Sequence, residues 1–217
     1  LITNGIDLEQ ACPHYTSPPS FASASAGRRA PSPKRRGGIE LAIVGRLEEQ
    51  KGHDILFRAL TDLHDLPWEL HIFGEGALRA LLENLARELG INERVHWHGV
   101  VPDMSGALAN IDCVVAPSRF EGMSLAVMEA MAAGRLVVAS EAAGAGLIEQ
   151  EKNGFIVPTE DVSALTKTLK YAIQERHKLA GIGERAREYA LEHFGIERHI
   201  LQLVKLYGEI RKNFPSS

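Results

Sequence analysis

From residue 40 onward six short apolar runs, ELAIVG, WELHIFG, RVHWHG, CVVAPS, LVVAS and GFIVP, alternate with longer stretches of helical period. Continuous apolar runs are what strands buried on both faces look like, and parallel strands need a crossover between them, usually a helix. The repeated order of strand and helix therefore predicts an α/β domain: a doubly wound, Rossmann-like parallel sheet of about six strands. The helical stretches fall at 53–65, 77–89, 103–110, 124–133 and 143–150. They continue in DVSALTKTLKYAIQERH, in ERAREYALEHF and in a last amphipathic stretch that begins near Ile196.

Residues 11–38 are rich in Pro, Ser, Ala and Arg and keep no period, the composition of a linker. One folded unit is expected over 39–195, with a tail at 196–217. Of the 217 residues 45% are hydrophobic, enough for a single core. The net charge is -4 and basic residues are spread along the chain, so no nucleic-acid footprint is expected. Only Cys12 and Cys113 are present, which excludes a disulfide framework or thiolate metal site and fits a reducing compartment. Glu129 and Arg135 interrupt the longest apolar run before it reaches the length of a spanning helix. The chain opens at Leu1 and reads as a fragment.

Ligands of such sheets bind outside the carboxyl ends of the strands. The residues that follow the first five runs are GRLEEQKG, FGEG, HGVV, PSRFEG and ASEAAGAG, and all are expected on one rim. Arg46 and Lys51 sit in the first of these loops, just before a helix, and two cations beside free helix N–H groups suit a phosphate or diphosphate. The competing reading is a solvated loop with two surface charges. FGEGALRAL is not a dinucleotide fingerprint, because Arg79 stands where the third glycine belongs and the motif follows the second strand. Gly74 and Gly76 instead read as a tight turn that a ligand can approach. His96 and His98 share one face of a strand, but without a third ligand they read as hydrogen-bonded histidines rather than a metal pair. No Asp-x-Asp occurs, so no metal is expected and a bound phosphate relies on Arg and Lys.

The run Leu125 to Ala133 is apolar or small except for Glu129. A helix apolar all round is a buried one, and an ionised carboxylate buried there needs a partner. Glu121 precedes this helix, Gly122 lets a ligand approach the backbone, and Ser124 is placed to cap the first turn, with the amides of Met123 to Leu125 facing the rim. Glu129 lies about 7 Å further along the axis. That spacing is wrong for two carboxylates sharing a proton, and it suits two acceptors reading different parts of one extended ligand, such as the vicinal hydroxyls of a ribose. The alternative is an internal Arg or Lys partner for Glu129.

GRLEEQKG, FGEG, HGVV and PSRFEGMSLAVMEAMAAG, with seven residues between Glu121 and Glu129, closely resemble the C-terminal, donor-binding half of retaining GT-B glycosyltransferases of family 4. The resemblance runs from about Gly38 to Phe194, and NGID at 4–7 looks like the hinge strand of such enzymes, which places the hinge at 1–10. It implies a transferase that takes a glycosyl group from a nucleotide-diphosphate sugar without metal or cofactor. By position, Arg46 and Lys51 would hold the diphosphate, Glu129 the ribose, and Glu121 the hydroxyls of the donor sugar, so that Glu121, Arg46 and Lys51 form the catalytic set. Gly122, Met123, Ser124 and Leu125 would face sugar and phosphate with their amides, Val100 and Val101 the base, and Gly45 and Gly74 would line the same site. The family's Gly-x-Pro-Glu turn is replaced here by residues around Ala145 and Gly146. The acceptor, a saccharide or lipid-linked saccharide, would be held by an N-terminal domain absent from this chain, to which the last helix would cross back. This half alone is expected to be inactive. The resemblance further implies a cytoplasmic enzyme, free or peripheral at the inner face of the membrane, that builds a polysaccharide or lipopolysaccharide. A nucleotide-sugar epimerase or glycan phosphorylase on the same scaffold and a non-enzymatic nucleotide-binding module are the competing classes. Glu129 is expected to face the rim near Arg46 and Lys51 rather than to pair inside the core.

Overall fold

The computed structural model describes residues 38–195, 200, 201 and 203–207. The expected hinge at 1–10, nearly all of the linker and much of 196–217 lie outside the described residues. All six expected strands form: β1 (Ile39–Val44), β2 (Trp68–Phe73), β3 (Val95–Gly99), β4 (Cys113–Ala116), β5 (Leu136–Ser140) and β6 (Phe155–Val157). They pair in parallel in the order β3-β2-β1-β4-β5-β6. The order reverses between β1 and β4, so the loops leaving those two strands part to opposite faces and leave a crevice at their carboxyl ends.

Seven α-helices lie within 38–195: α1 (His53–Thr61), α2 (Arg79–Glu88), α3 (Met104–Leu108), α4 (Leu125–Ala132), α5 (Glu141–Gly144), α6 (Val162–Gln174) and α7 (Arg176–His193). Because successive strand residues point to opposite faces, Leu41, Ile43, Leu70 and Ile72 enter one core with Leu56 and Leu60 of α1 and Leu165 and Leu169 of α6. Ala42, Val114 and Val137 enter the other with Val127 and Met131 of α4 and Ala186 and Ala190 of α7. Packed on both the sheet and α7, α4 buries Val127, Met128, Ala130, Met131 and Ala132, which is why its sequence is apolar nearly all round.

Two helices differ from expectation. The helix expected at 143–150 is the single turn α5, started by the Ser140 hydroxyl, which accepts the Ala143 N–H, and ended by the glycine-rich Gly144 to Gly146. The chain then turns at Asn153, whose side chain accepts the Glu149 N–H. At the other end, ERAREYALEHF is the second half of the 18-residue helix α7. Gly183 within it packs where any side chain would strike the Gly134 carbonyl, so α7 can lie close to the end of α4.

On the sheet face that α4 and α7 cover further along, β1–β3 carry a polar array. His71 bonds Glu40 at 2.7 Å and His98 at 2.8 Å, and His96 bonds Glu69 at 2.9 Å. The two histidines of β3 are thus held by hydrogen bonds.

Candidate functional site

The loops after β1 and β4 face each other across the crevice, and the loop after β2 supports the first of them from behind. Gly45 donates its N–H to the Phe73 carbonyl and Leu47 donates to Glu75, so the two loops stack backbone on backbone. Gly74, at φ 144°, sits where a Cβ would collide with the Gly45 carbonyl. Loop packing therefore accounts for the glycine at 74, whose side-chain position is filled by protein. The buried Leu47 side chain anchors the loop in the core, which leaves its neighbour Arg46 pointing outward with 68% of its side chain exposed. Arg46 pairs with Glu48 at 2.9 Å.

A 3-10 turn, Glu49–Lys51, then brings Lys51 back across the crevice. Its ammonium donates to Glu121 Oε1 at 2.6 Å, with only 17% of the lysine and 8% of the glutamate side chain exposed. The same oxygen accepts the Ser118 hydroxyl at 3.0 Å. Two further contacts clamp the loops together: Gln50 Nε2 donates to the Phe120 carbonyl, and the Arg119 N–H donates to the Gln50 carbonyl. The Arg119 guanidinium grips both oxygens of Asp54, at 2.8 and 2.9 Å, and also bonds Glu160 and the Glu49 carbonyl. The Lys51–Glu121 pair is thus the centre of a rigidly tied loop pair.

Beyond Glu121 the chain opens. A Cβ on Gly122 would meet nothing, so space lies above this backbone. Ser124 occupies the N-cap position of α4, yet its hydroxyl makes no capping bond; only its carbonyl serves the helix, accepting from Met128. The expected side-chain cap is therefore absent, and the first-turn amides of α4, from the half-exposed Leu125 on, have no side-chain acceptor among the described residues. The side chain of Glu129, one turn deeper and partly buried, makes no hydrogen bond or ion pair among the described residues. Burial alone lifts its carboxyl above the ordinary range. It does not pair inside the core, as expected, but neither is it the partner of Arg46 or Lys51, which are engaged by Glu48 and Glu121. After β3, Val100 is 73% exposed while Val101 packs on the core.

The structure therefore brings Lys51, Glu121, Gly122 and the start of α4 together, with Arg46 at the rim and Glu129 along the helix. Sequence reasoning passed over Ser118, Gln50 and Arg119. Their roles depend on contacts with residues far along the chain, and no local period marks them; the one usable signal was an Arg and a Ser flanking a glutamate in a strand-end loop.

Chemically, this is two cations and an uncapped helix N-terminus at the carboxyl end of the sheet, with a carboxylate further along that helix that has no partner among the described residues, an arrangement suited to a phosphorylated ligand that also carries hydroxyls. The family model for Glycosyl transferases group 1 matches residues 38–175. The chain belongs to this family. Among group 1 glycosyl transferases and their relatives, it is 31% identical over 178 residues to the lipopolysaccharide core biosynthesis mannosyltransferase LpcC of Rhizobium leguminosarum bv. viciae, covering 78% of this chain and 51% of that protein. The crystal structure of Anabaena Alr3699/HepE in complex with UDP aligns with a TM-score of 0.74 at 25% identity, over 80% of this chain and 49% of that one. The C-terminal domain of a group 1 glycosyl transferase from Francisella tularensis aligns at 0.65 and 22% identity, over 73% of this chain and 87% of that domain, which shows the shared fold. The chain spans about half the length of the curated relatives it matches. Its described portion is a GT-B C-terminal domain of the group 1 glycosyl transferases.

Proposed function

We propose that this chain is the donor half of a glycosyltransferase: it binds a nucleoside-diphosphate sugar and presents the sugar for transfer to an acceptor with retention of configuration, without a metal ion. The observation that carries this reading is the tied Lys51–Glu121 pair beside the uncapped start of α4, with the unpartnered Glu129 further along that helix. Transfer breaks the bond between the anomeric carbon and the diphosphate oxygen, and negative charge collects on the departing diphosphate. Lys51, Arg46 and the α4 amides are the groups that meet that charge, and removal of one preorganised donor of this kind typically lowers the rate about 10²- to 10³-fold. Glu129 accepts from the ribose hydroxyls, Glu121 from the sugar, and Val100 and Val101 lie against the base. The UDP bound by Anabaena HepE supports a nucleotide ligand.

The acceptor is assigned to the half of the relatives' length that this chain does not span. A cell-envelope saccharide, free or lipid-linked, is the reading that relatives such as the lipopolysaccharide core mannosyltransferase favour. This reading places the reaction in the cytoplasm, on the strength of its nucleotide-sugar donor. Among the described residues no helix is long and apolar enough to cross a membrane.

Calorimetry with UDP and GDP tests the reading. Binding of one of them by the chain, abolished in Lys51→Ala and in Glu129→Ala, is the expected result; no binding of either nucleotide overturns it. The same chain should turn over no UDP- or GDP-sugar in a radiolabel transfer assay, and robust turnover would refute the assignment of this half as inactive alone.

A further inference from the structure

Glu121 has two carboxylate oxygens, and the structure treats them differently. Oε1 receives both the Lys51 ammonium, at 2.6 Å, and the Ser118 hydroxyl, at 3.0 Å. Oε2 has no hydrogen bond among the described residues. Ser118 is itself fixed: it is buried, and its carbonyl accepts the Ser140 hydroxyl at 2.6 Å. Ser140 in turn accepts the Ala143 N–H that starts α5. A chain of hydrogen bonds therefore runs from α5, through Ser140 at the end of β5 and Ser118, to one oxygen of Glu121.

A carboxylate on a short side chain rotates easily, and a single contact from Lys51 leaves its plane free to turn about that contact. A second donor on the same oxygen, arriving from the protein side, fixes the plane and so the direction of the other oxygen. We propose that Ser118 is a positioning residue for donor-sugar recognition: with Lys51 it saturates Oε1 of Glu121 and thereby reserves Oε2 as the acceptor for a sugar hydroxyl. This inference rests on the donor-site reading above and adds a division of labour within it. Diphosphate binding belongs to Arg46, Lys51 and α4, whereas the affinity added by the sugar passes through Glu121 and depends on Ser118. The Ser140 contact makes the end of β5 a remote support of the same oxygen.

The test compares UDP with UDP-glucose, or GDP with GDP-mannose if the guanine nucleotide is the one bound, by calorimetry on the folded chain, with thermal melting as a control. In Ser118→Ala the nucleotide alone is expected to bind nearly as in the parent, while the nucleotide sugar loses about ten-fold in affinity, the effect of one hydrogen bond to a charged group. In a Glu121→Gln background the added Ser118→Ala change should have no further effect on the sugar's contribution, because the carboxylate through which the serine acts is gone. Equal weakening of nucleotide and nucleotide sugar, or the same loss with and without the Glu121 carboxylate, overturns the proposal and leaves Ser118 a structural residue. Should Ser118→Ala not fold, Ser140→Ala, which releases the support without touching Glu121, is expected to give a smaller loss confined to the nucleotide sugar; no selective loss there also overturns it. Absence of any nucleotide binding by the parent chain would instead refute the donor-site reading.

Discussion

Glu129 is a carboxylate in a helix that is otherwise apolar or small, and burial raises its pKa with no partner among the described residues to lower it. The sign of its effect follows. A carboxyl whose folded value lies above its unfolded one opposes folding once it is ionised, and the penalty is relieved as the pH falls through the folded value. Glu129→Gln keeps the shape and removes the charge. The expected outcome is a higher melting temperature at pH 7.5 than the parent, a difference that shrinks on acidification, together with weaker nucleotide binding because an amide replaces an acceptor-only group. Scanning calorimetry at two pH values and a UDP titration check both halves. A variant that is less stable than the parent at pH 7.5 would show that the carboxylate has a stabilising role in the fold. This residue was legible in the sequence because a lone charge in an apolar run stands out wherever the run is found.

At the scale of elements, the loops matter more than the helices. The six strands could be read from the sequence because strands buried on both faces keep a continuous apolar composition whatever packs on them. The turn after β5 could not, since Gly144, Gly146 and the Asn153 side chain override a weak helical period. The bonds of Ser118 to Glu121 and of Arg119 to Asp54 were equally hidden, the second because it joins residues 65 apart in the chain. The stacked loops after β1 and β2 give a direct test. Gly74→Ala forces a Cβ into the Gly45 carbonyl at a backbone angle that L side chains rarely adopt. It should cost at least about 2 kcal/mol of stability. It should also weaken UDP binding, because the loop that displaces carries Arg46 and Lys51. Equilibrium denaturation and calorimetry measure the two effects, and an unchanged denaturation midpoint would contradict the close stacking.

For the molecule as a whole, His53 makes stability depend on pH in the acid range. This histidine, the first residue of α1, is fully buried with neither ring nitrogen hydrogen-bonded among the described residues, and burial pushes its pKa from the ordinary 6.5 down to about 4. The folded protein holds the ring neutral while the unfolded chain takes up a proton near 6.5. Stability is therefore fully present above about pH 6.5 and falls as the pH drops toward 4. At about 1.4 kcal/mol per pH unit the loss reaches about 3 kcal/mol, a large share of an ordinary domain's stability. His53→Leu, which removes the titrating group from this buried position, should flatten this decline in urea melts taken from pH 7.5 to 4.5; an equally steep decline in the variant would assign the acid sensitivity elsewhere. The pairs Arg46–Glu48 and Lys51–Glu121 have a consequence at this same scale. Each cation of the crevice already faces an anion within 3 Å, and the chain carries a net negative charge. Seen from beyond a Debye length of about 8 Å, such pairs nearly cancel, so the crevice does little to draw a polyanion in from solution. Its choice among the many phosphates of a cell is made after arrival, by which ligand can take the place of Glu48 and still satisfy the hydroxyl acceptors behind it.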